Sequence, residues 1–156
     1  MQKISPFLWF DTQAEEAANF YVSVFKNAKL GKVSRYNEAG PGQAGSVMTI
    51  EFELDGQPFT ALNAGPYFKF NEAVSFVIKC ADQAEVDYYW DRLLEGGTPS
   101  QCGWLKDKFG LSWQVTPTQL LELNSDPDPA KAARVMAAML KMGKIDIAAL
   151  EAAARG

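Results

Sequence analysis

Residues Ile4 to Glu15 (ISPFLWFDTQAE) and Val74 to Glu85 (VSFVIKCADQAE) align on one another without a gap. Each copy reads as an apolar strand, a capped turn and the opening of an amphipathic helix. A unit repeated at this spacing is too small to bury its own apolar face, so the chain is expected to form two similar half-domains. Paired, the halves would enclose a concave surface, where a ligand site is expected. The sequence also contains no histidine. That removes the commonest metal ligand and general base before any motif is considered.

The pattern along the chain supports two βαβββ modules. Ile4–Phe10 is an apolar strand, and Thr12-Gln-Ala-Glu15 has the form of a capping box, in which Thr12 and Glu15 satisfy each other's backbone donors. Ala14, Ala17, Ala18, Tyr21 and Phe25 then recur at helical spacing to about Asn27. A short strand over Lys32–Tyr36 leads into the Gly/Pro-rich stretch 37–46, and Val47–Leu54 returns as an alternating strand. Asp55-Gly56 is a hairpin turn and Phe59–Asn63 its partner strand. After a crossing loop over 64–71, Val74–Cys80 is a strand, and Asp82-Gln-Ala-Glu85 caps a helix that runs to Leu94 and stops at Gly96-Gly97. One or two short strands lie within Pro99–Phe109, Gly110 turns the chain, and Leu111–Thr116 is the last strand. The modules span about 1–64 and 72–117. Residues 118–156 read as a helical C-terminal extension, with Asp126-Pro-Asp-Pro129 starting a helix near Ala130. Val135, Met136, Met139, Leu140 and Met142 form one apolar stripe, and Ile145, Ile147 and Leu150 another. Such stripes are packing faces, within the domain or across a dimer.

Composition narrows the function classes. A net charge of −4 with no basic block argues against a nucleic-acid partner. No apolar run approaches the ~20 residues that span a bilayer, and the first residues lack a long apolar signal region, so no membrane role and a cytoplasmic location are expected. Cys80 and Cys102 are read as free thiols in such a compartment.

Several motifs bear on chemistry. Gly40-Pro-Gly-Gln-Ala-Gly45 spells GxGxxG, but a dinucleotide site needs a helix after the loop and here a β-branched strand follows. Glu51 and Glu53 alternate on one strand face with Asp55 and read as solvated. Without histidine there is no Ser-His-Asp or Cys-His arrangement. Lys79 and Asp107 are the candidates for acid/base work. On the first strand Ser5, Phe7 and Trp9 share one face and Pro6, Leu8 and Phe10 the other; Ser75, Val77 and Lys79 likewise oppose Phe76, Ile78 and Cys80. In the last strand Ser112, Gln114 and Thr116 alternate with Leu111, Trp113 and Val115. The wholly apolar faces should meet the helices, leaving aromatic groups, hydroxyls and amides to line the concavity. That lining suits a small organic molecule.

The segments Phe68–Phe76 (FKFNEAVSF), Glu85–Trp90 (EVDYYW), Gln101–Asp107 (QCGWLKD) and Met139–Ile147 (MLKMGKIDI), with 103–117, resemble the vicinal oxygen chelate superfamily of glyoxalases, bleomycin-resistance proteins and extradiol dioxygenases. Within it the chain is similar to the PhnB-like branch, often labelled 3-demethylubiquinone-9 3-methyltransferase. The resemblance implies an α+β fold of paired βαβββ modules forming a cupped mixed sheet, and a homodimer. Metal-binding members place ligands on the first and last strand of each module, which correspond here to Ser5, about Thr60, Ser75 and Gln114. Three hydroxyl groups and one amide are a poor donor set for a divalent metal. The expectation is therefore a small-molecule-binding protein without metal or cofactor, its ligand touched by Ser5, Phe7, Trp9, Thr60, Asn63, Glu72, Ser75, Trp104 and Gln114. The alternative is a metal-dependent lyase, isomerase or dioxygenase with a degenerate divalent site including Gln114 and Glu72. A third reading is sequestration of a drug without turnover. Methyl transfer is not expected, because a methyl-donor site needs the strand, Gly-rich turn and helix that Gly40–Gly45 lacks.

Overall fold

The computed structural model describes residues 2–156, in two compact units, Met1–Lys69 and Phe70–Gly156. The first contains β1 (Phe7–Phe10), α1 (Ala14–Val24), β2 (Ala28–Arg35), β3 (Val47–Leu54) and β4 (Gln57–Asn63). Its sheet runs β1-β4-β3-β2, with β1 parallel to β4 and the remaining pairs antiparallel. The second unit repeats the plan with β5 (Ser75–Cys80), α2 (Gln83–Leu94), β6 (Thr98–Pro99), β7 (Trp104–Lys106) and β8 (Ser112–Pro117). Its order, β5-β8-β7-β6, also has one parallel pair, between the first strand and the last. The class is α+β, built from two mixed four-stranded sheets of identical topology.

Strand alternation decides what each sheet buries. Leu8 and Phe10 of β1 are buried with Ile50, Phe52, Phe59 and Ala61, whereas Phe7 remains exposed. Helix α1 covers that face with Ala14, Ala17, Ala18, Tyr21 and Val24. Alanine at three of these positions permits close helix–sheet approach, and the ring of Tyr21 stacks on Phe52, which stacks in turn on Phe59. In the second unit α2 buries Val86, Trp90 and Leu93, and the sheet buries Ile78, Cys80, Leu105, Trp113 and Val115. Strand β2 begins at Ala28, earlier than the expected Lys32, and carries irregularities between Leu30 and Val33 and between Ser34 and Arg35. Those bulges break the period-two pattern from which its start would have been read.

The two helix starts differ although their sequences match. Asp82 accepts a hydrogen bond from the Glu85 backbone N–H at 2.9 Å, and Glu85 Oε1 accepts from the Ala81 N–H at 2.9 Å. The expected Thr12–Glu15 box does not form: the N-cap of α1 is Gln13, with no side-chain cap bond. The Ala14 N–H donates instead to Asn63 Oδ1 at 2.8 Å. Asn63 Nδ2 donates to the Val47 carbonyl at 3.3 Å, and the Tyr36 hydroxyl donates to the Asn63 carbonyl at 2.5 Å. The end of β4 thus caps α1 from across the module.

The C-terminal segment forms α3 (Thr118–Asn124), α4 (Pro129–Met139) and α5 (Ile147–Arg155), within the second unit. Leu120, Val135, Ile145, Leu150 and Ala154 make its core, with Met139 and Met142 packed against it. Gln83, the first residue of α2, holds the segment at both ends of one amide: Nε2 donates to the Ile145 carbonyl at 2.9 Å and Oε1 accepts from the Ile147 N–H at 2.8 Å. The Cys102 and Gly103 N–H groups donate to the carbonyls of Met142 and Gly143, each at 2.8 Å. The expected stripe needs correction. Met136 and Leu140 are 42% and 55% exposed, so only Val135, Met139 and Met142 of that set serve the core.

Two comparisons test these assignments. Asn63→Ala should cost about 1–2 kcal/mol, the scale of a lost helix cap, while Thr12→Val should cost less than about 0.5 kcal/mol, as at an uninvolved surface position. Urea unfolding reads both, and a larger loss at Thr12 would restore the local capping box. Leu150→Ala should cost about 2–5 kcal/mol as a buried leucine truncation, and Leu140→Ala no more than about 0.5 kcal/mol. Equal losses would refute the packing described for α4 and α5.

Candidate functional site

Each sheet has one face without helices, and most of the expected ligand-binding residues lie on these two faces. In the first unit Phe7 stands opposite Thr60 and Trp9 opposite Leu62 across the parallel pair. Phe7 is exposed and Trp9 half-buried. Ser5 and Thr60 line a cavity of about 710 Å³ together with Lys29, Glu51 and Glu53. Glu53 is ion-paired with Lys29 at 3.4 Å, and Glu51 is exposed, as expected of this strand face. Trp9 is already engaged by its own chain. Its indole N–H donates to the Gly65 carbonyl at 2.9 Å, and its ring meets Phe68 edge-on at 4.8 Å. Phe68 is therefore an aromatic neighbour of Trp9 that strand alternation could not reveal, because it lies in the loop after β4.

Asn63 does not share this face. It pairs with Phe10 in register and turns toward the start of α1, where its amide is spent on the backbone. It borders a separate cavity of about 630 Å³, with Asp11, Glu15, Arg35 and Tyr36 among its walls.

In the second unit Glu72, Ser75, Trp104 and Gln114 come together. Val77, Gln114 and Trp104 occupy one row across β5, β8 and β7, and Ser75, Ser112 and Lys106 the adjacent row. Gln114 Nε2 donates to Ser75 Oγ at 2.9 Å. Glu72 forms an ion pair with Lys106, whose hydrogen bond and charge hold the Glu72 carboxyl below the usual carboxylate range. Ser112 is buried, and its Oγ has no hydrogen-bond partner. Lys106 and Ser112 thus join the set. Their signal in the sequence was the two-residue spacing from Trp104 and from Gln114, which puts them on the same strand face.

The strand registers also align the modules with each other. Phe7 and Val77 occupy the same position of the repeat, and their partners are Thr60 and Gln114. Ser5, Thr60, Ser75 and Gln114 are therefore equivalent in pairs. As a donor set for the divalent metal that the superfamily resemblance implies they do not fit. Hydroxyls without charge bind such ions weakly, Gln114 already donates to Ser75, and Glu72 is neutralised by Lys106. Among the described residues no group of three or more Cys, Asp or Glu side chains converges.

Other candidates are occupied structurally. Asp107 is buried, and its carboxylate accepts from the Phe109 and Leu111 N–H groups at 2.9 and 3.1 Å and from the Trp113 indole at 2.9 Å. It ties the turn before β8 together. Lys79 is exposed on β5. Cys80 is wholly buried, and burial, reinforced by Glu85 and Asp82, pushes its thiol up to about 12, which leaves almost no thiolate at neutral pH. Gly40–Gly45 joins two strands, β2 and β3, as its context indicated. Gly42 has a local cause: a Cβ there would overlap the ring of Tyr36. No helix among the described residues is long and apolar enough to cross a membrane.

Comparison with known proteins agrees with this geometry. Residues 2–116 match the sequence model of a family described as 3-demethylubiquinone-9 3-methyltransferase. A PhnB protein from Bacillus cereus, described in the same words, is 38% identical; the match covers 74% of this chain and 99% of that one, with a TM-score of 0.68. Protein PA1353 from Pseudomonas aeruginosa is 20% identical, covering 75% of this chain and 98% of its own, with a TM-score of 0.64. The fosfomycin resistance protein FosX from Mesorhizobium loti is 16% identical over 78% of this chain and 99% of its own, at a TM-score of 0.51. These last two likenesses speak to fold alone. No match is found among curated proteins. The family match ends before α3, so the resemblance seen in Met139–Ile147 lies outside it. Over its two βαβββ modules the chain belongs to the PhnB-like family that carries the 3-demethylubiquinone-9 3-methyltransferase description.

Proposed function

We propose that this protein binds a small organic molecule without a metal, using groups on the helix-free faces of its sheets. The observation that carries the reading is the character of the four equivalent positions, Ser5, Thr60, Ser75 and Gln114. They offer neutral hydrogen-bonding groups beside aromatic surface, which orient an organic ligand but do not hold a divalent ion. The metal-dependent lyase, isomerase or dioxygenase reading draws less support. Its two best ligands, Gln114 and Glu72, are engaged with Ser75 and Lys106. Nor does the family description carry methyl transfer to this chain, since Gly40–Gly45 leads into a strand rather than a donor-binding helix. The reading includes a cytoplasmic homodimer: the superfamily resemblance implies paired chains, and Met136 and Leu140 remain exposed apolar groups on and beside α4.

The two faces of β1 provide the test. Trp9→Ala removes aromatic surface from the helix-free face and should weaken binding of small aromatic fragments more than tenfold, about 1.4 kcal/mol, with modest loss of stability. Leu8→Ala should cost about 2–5 kcal/mol of stability and leave affinity nearly unchanged in the folded fraction. Ligand-observed NMR and thermal melts separate the effects, whereas tryptophan fluorescence would be confused by Trp90, Trp104 and Trp113. Fragment binding that survives Trp9→Ala and fails with Leu8→Ala would reverse the assignment of faces.

A further inference from the structure

We infer that the second module recognises the carboxylate of a small organic acid, which takes the place of Glu72 at Lys106 and engages the buried hydroxyl of Ser112. The inference rests on the small-molecule reading above and names the class of ligand. Three observations carry it. Ser112 is only 1% exposed, and its Oγ has no hydrogen-bond partner. Buried hydroxyls are nearly always paired, so an unpaired donor beside other polar groups calls for an acceptor. Second, Ser112 lies in the row between Ser75 and Lys106. Glu72 stands three residues before Ser75, and its ion pair links that segment to Lys106, the register partner of Ser112. Third, that pair is exchangeable. The Lys106 and Glu72 side chains are 41% and 60% exposed, and pairs of this kind contribute little to stability.

Glu72 is itself a carboxylate resting on the lysine. A ligand carboxylate arriving from solvent replaces like with like, and its second oxygen can accept from Ser112 Oγ, a bond the structure does not give Glu72. In the neighbouring row Trp104 and the half-exposed Val77 provide an apolar surface for the rest of the molecule. The class is thus an organic acid with an apolar or aromatic body. A chain with a net charge of −4 repels anions in general, so any preference for acids must arise locally.

The sign of one substitution distinguishes this account from its alternatives. Benzoate and phenylacetate are compared with benzamide and phenylacetamide by ligand-observed NMR on the full chain, with inorganic phosphate as a control for anions lacking an apolar body. The acids should bind at least about fivefold more tightly than the amides, as expected of one charge-assisted hydrogen bond, and phosphate more weakly than either acid. Glu72→Gln removes the competitor and should tighten acid binding several-fold. Lys106→Met should abolish the preference for acids over amides, and Ser112→Ala should reduce it, with melting temperatures confirming that each variant is folded. Weaker acid binding in Glu72→Gln, or amides binding as well as acids, would overturn the inference and leave the small-molecule reading standing. Phosphate matching the acids would reduce the site to a general anion site and also overturn it. If neither acids nor amides bind at all, both readings fail together.

Discussion

In each module the first strand lies parallel against the fourth, so that Phe7 faces Thr60 and Val77 faces Gln114. A parallel pair cannot be closed by a hairpin; the chain must leave the sheet and return. Helices α1 and α2 make that departure, which puts both helices on one face of their sheets and leaves the other face bare. The same pairing sets the rows of side chains on the bare face. Ser75 meets Gln114 through a 2.9 Å hydrogen bond because β5 and β8 are neighbours, although 39 residues separate them. Shifting the β1–β4 pair by one residue would exchange Leu8 and Phe10 with Phe7 and Trp9, placing a buried core in water.

How much of this was legible in the sequence depended on the range of the interaction concerned. The repeat, the alternation of Leu8 and Phe10 with Phe7 and Trp9, and the Asp55-Gly56 turn are local signals, and the structure realises each of them. The capping of α1 is the instructive failure. Thr12-Gln-Ala-Glu15 and Asp82-Gln-Ala-Glu85 carry the same pattern, yet only the second acts as a cap. In the first module Asn63 reaches Ala14 from 49 residues away, and no local window contains that competitor. The hold of Gly65 and Phe68 on Trp9 escaped for the same reason. In the apolar stripe of α4, Leu140 falls past the end of the helix at Met139 and is exposed, Met136 is exposed within the helix, and Met142 packs on the core from beyond it.

The absence of histidine acquires a structural meaning once the two sheets are aligned. The positions that the superfamily resemblance implies for metal ligands are Ser5, Thr60, Ser75 and Gln114; of the carboxylates near them, Glu53 is paired with Lys29 and Glu72 with Lys106, while Glu51 lies beside Thr60. Thr60, Ser75 and Gln114 are presented from first and last strands, while Ser5 lies two residues before β1. The side chains presented are hydrogen-bonding groups of modest strength, beside Trp9 and Phe68 in the first unit and beside Trp104 in the second. On the reading proposed above, each such face selects its ligand by shape and hydrogen bonding.

The central claim, metal-free binding of an organic ligand, is tested most directly by analysing one sample of natively purified protein in two ways. Elemental analysis after dialysis should find only trace divalent metal per chain, while mass spectrometry of the same sample, before and after denaturation, should find a small organic molecule released on unfolding. Close to one Ni, Zn, Fe or Mn per chain, retained through dialysis and lost together with thermal stability on chelation, would contradict the account.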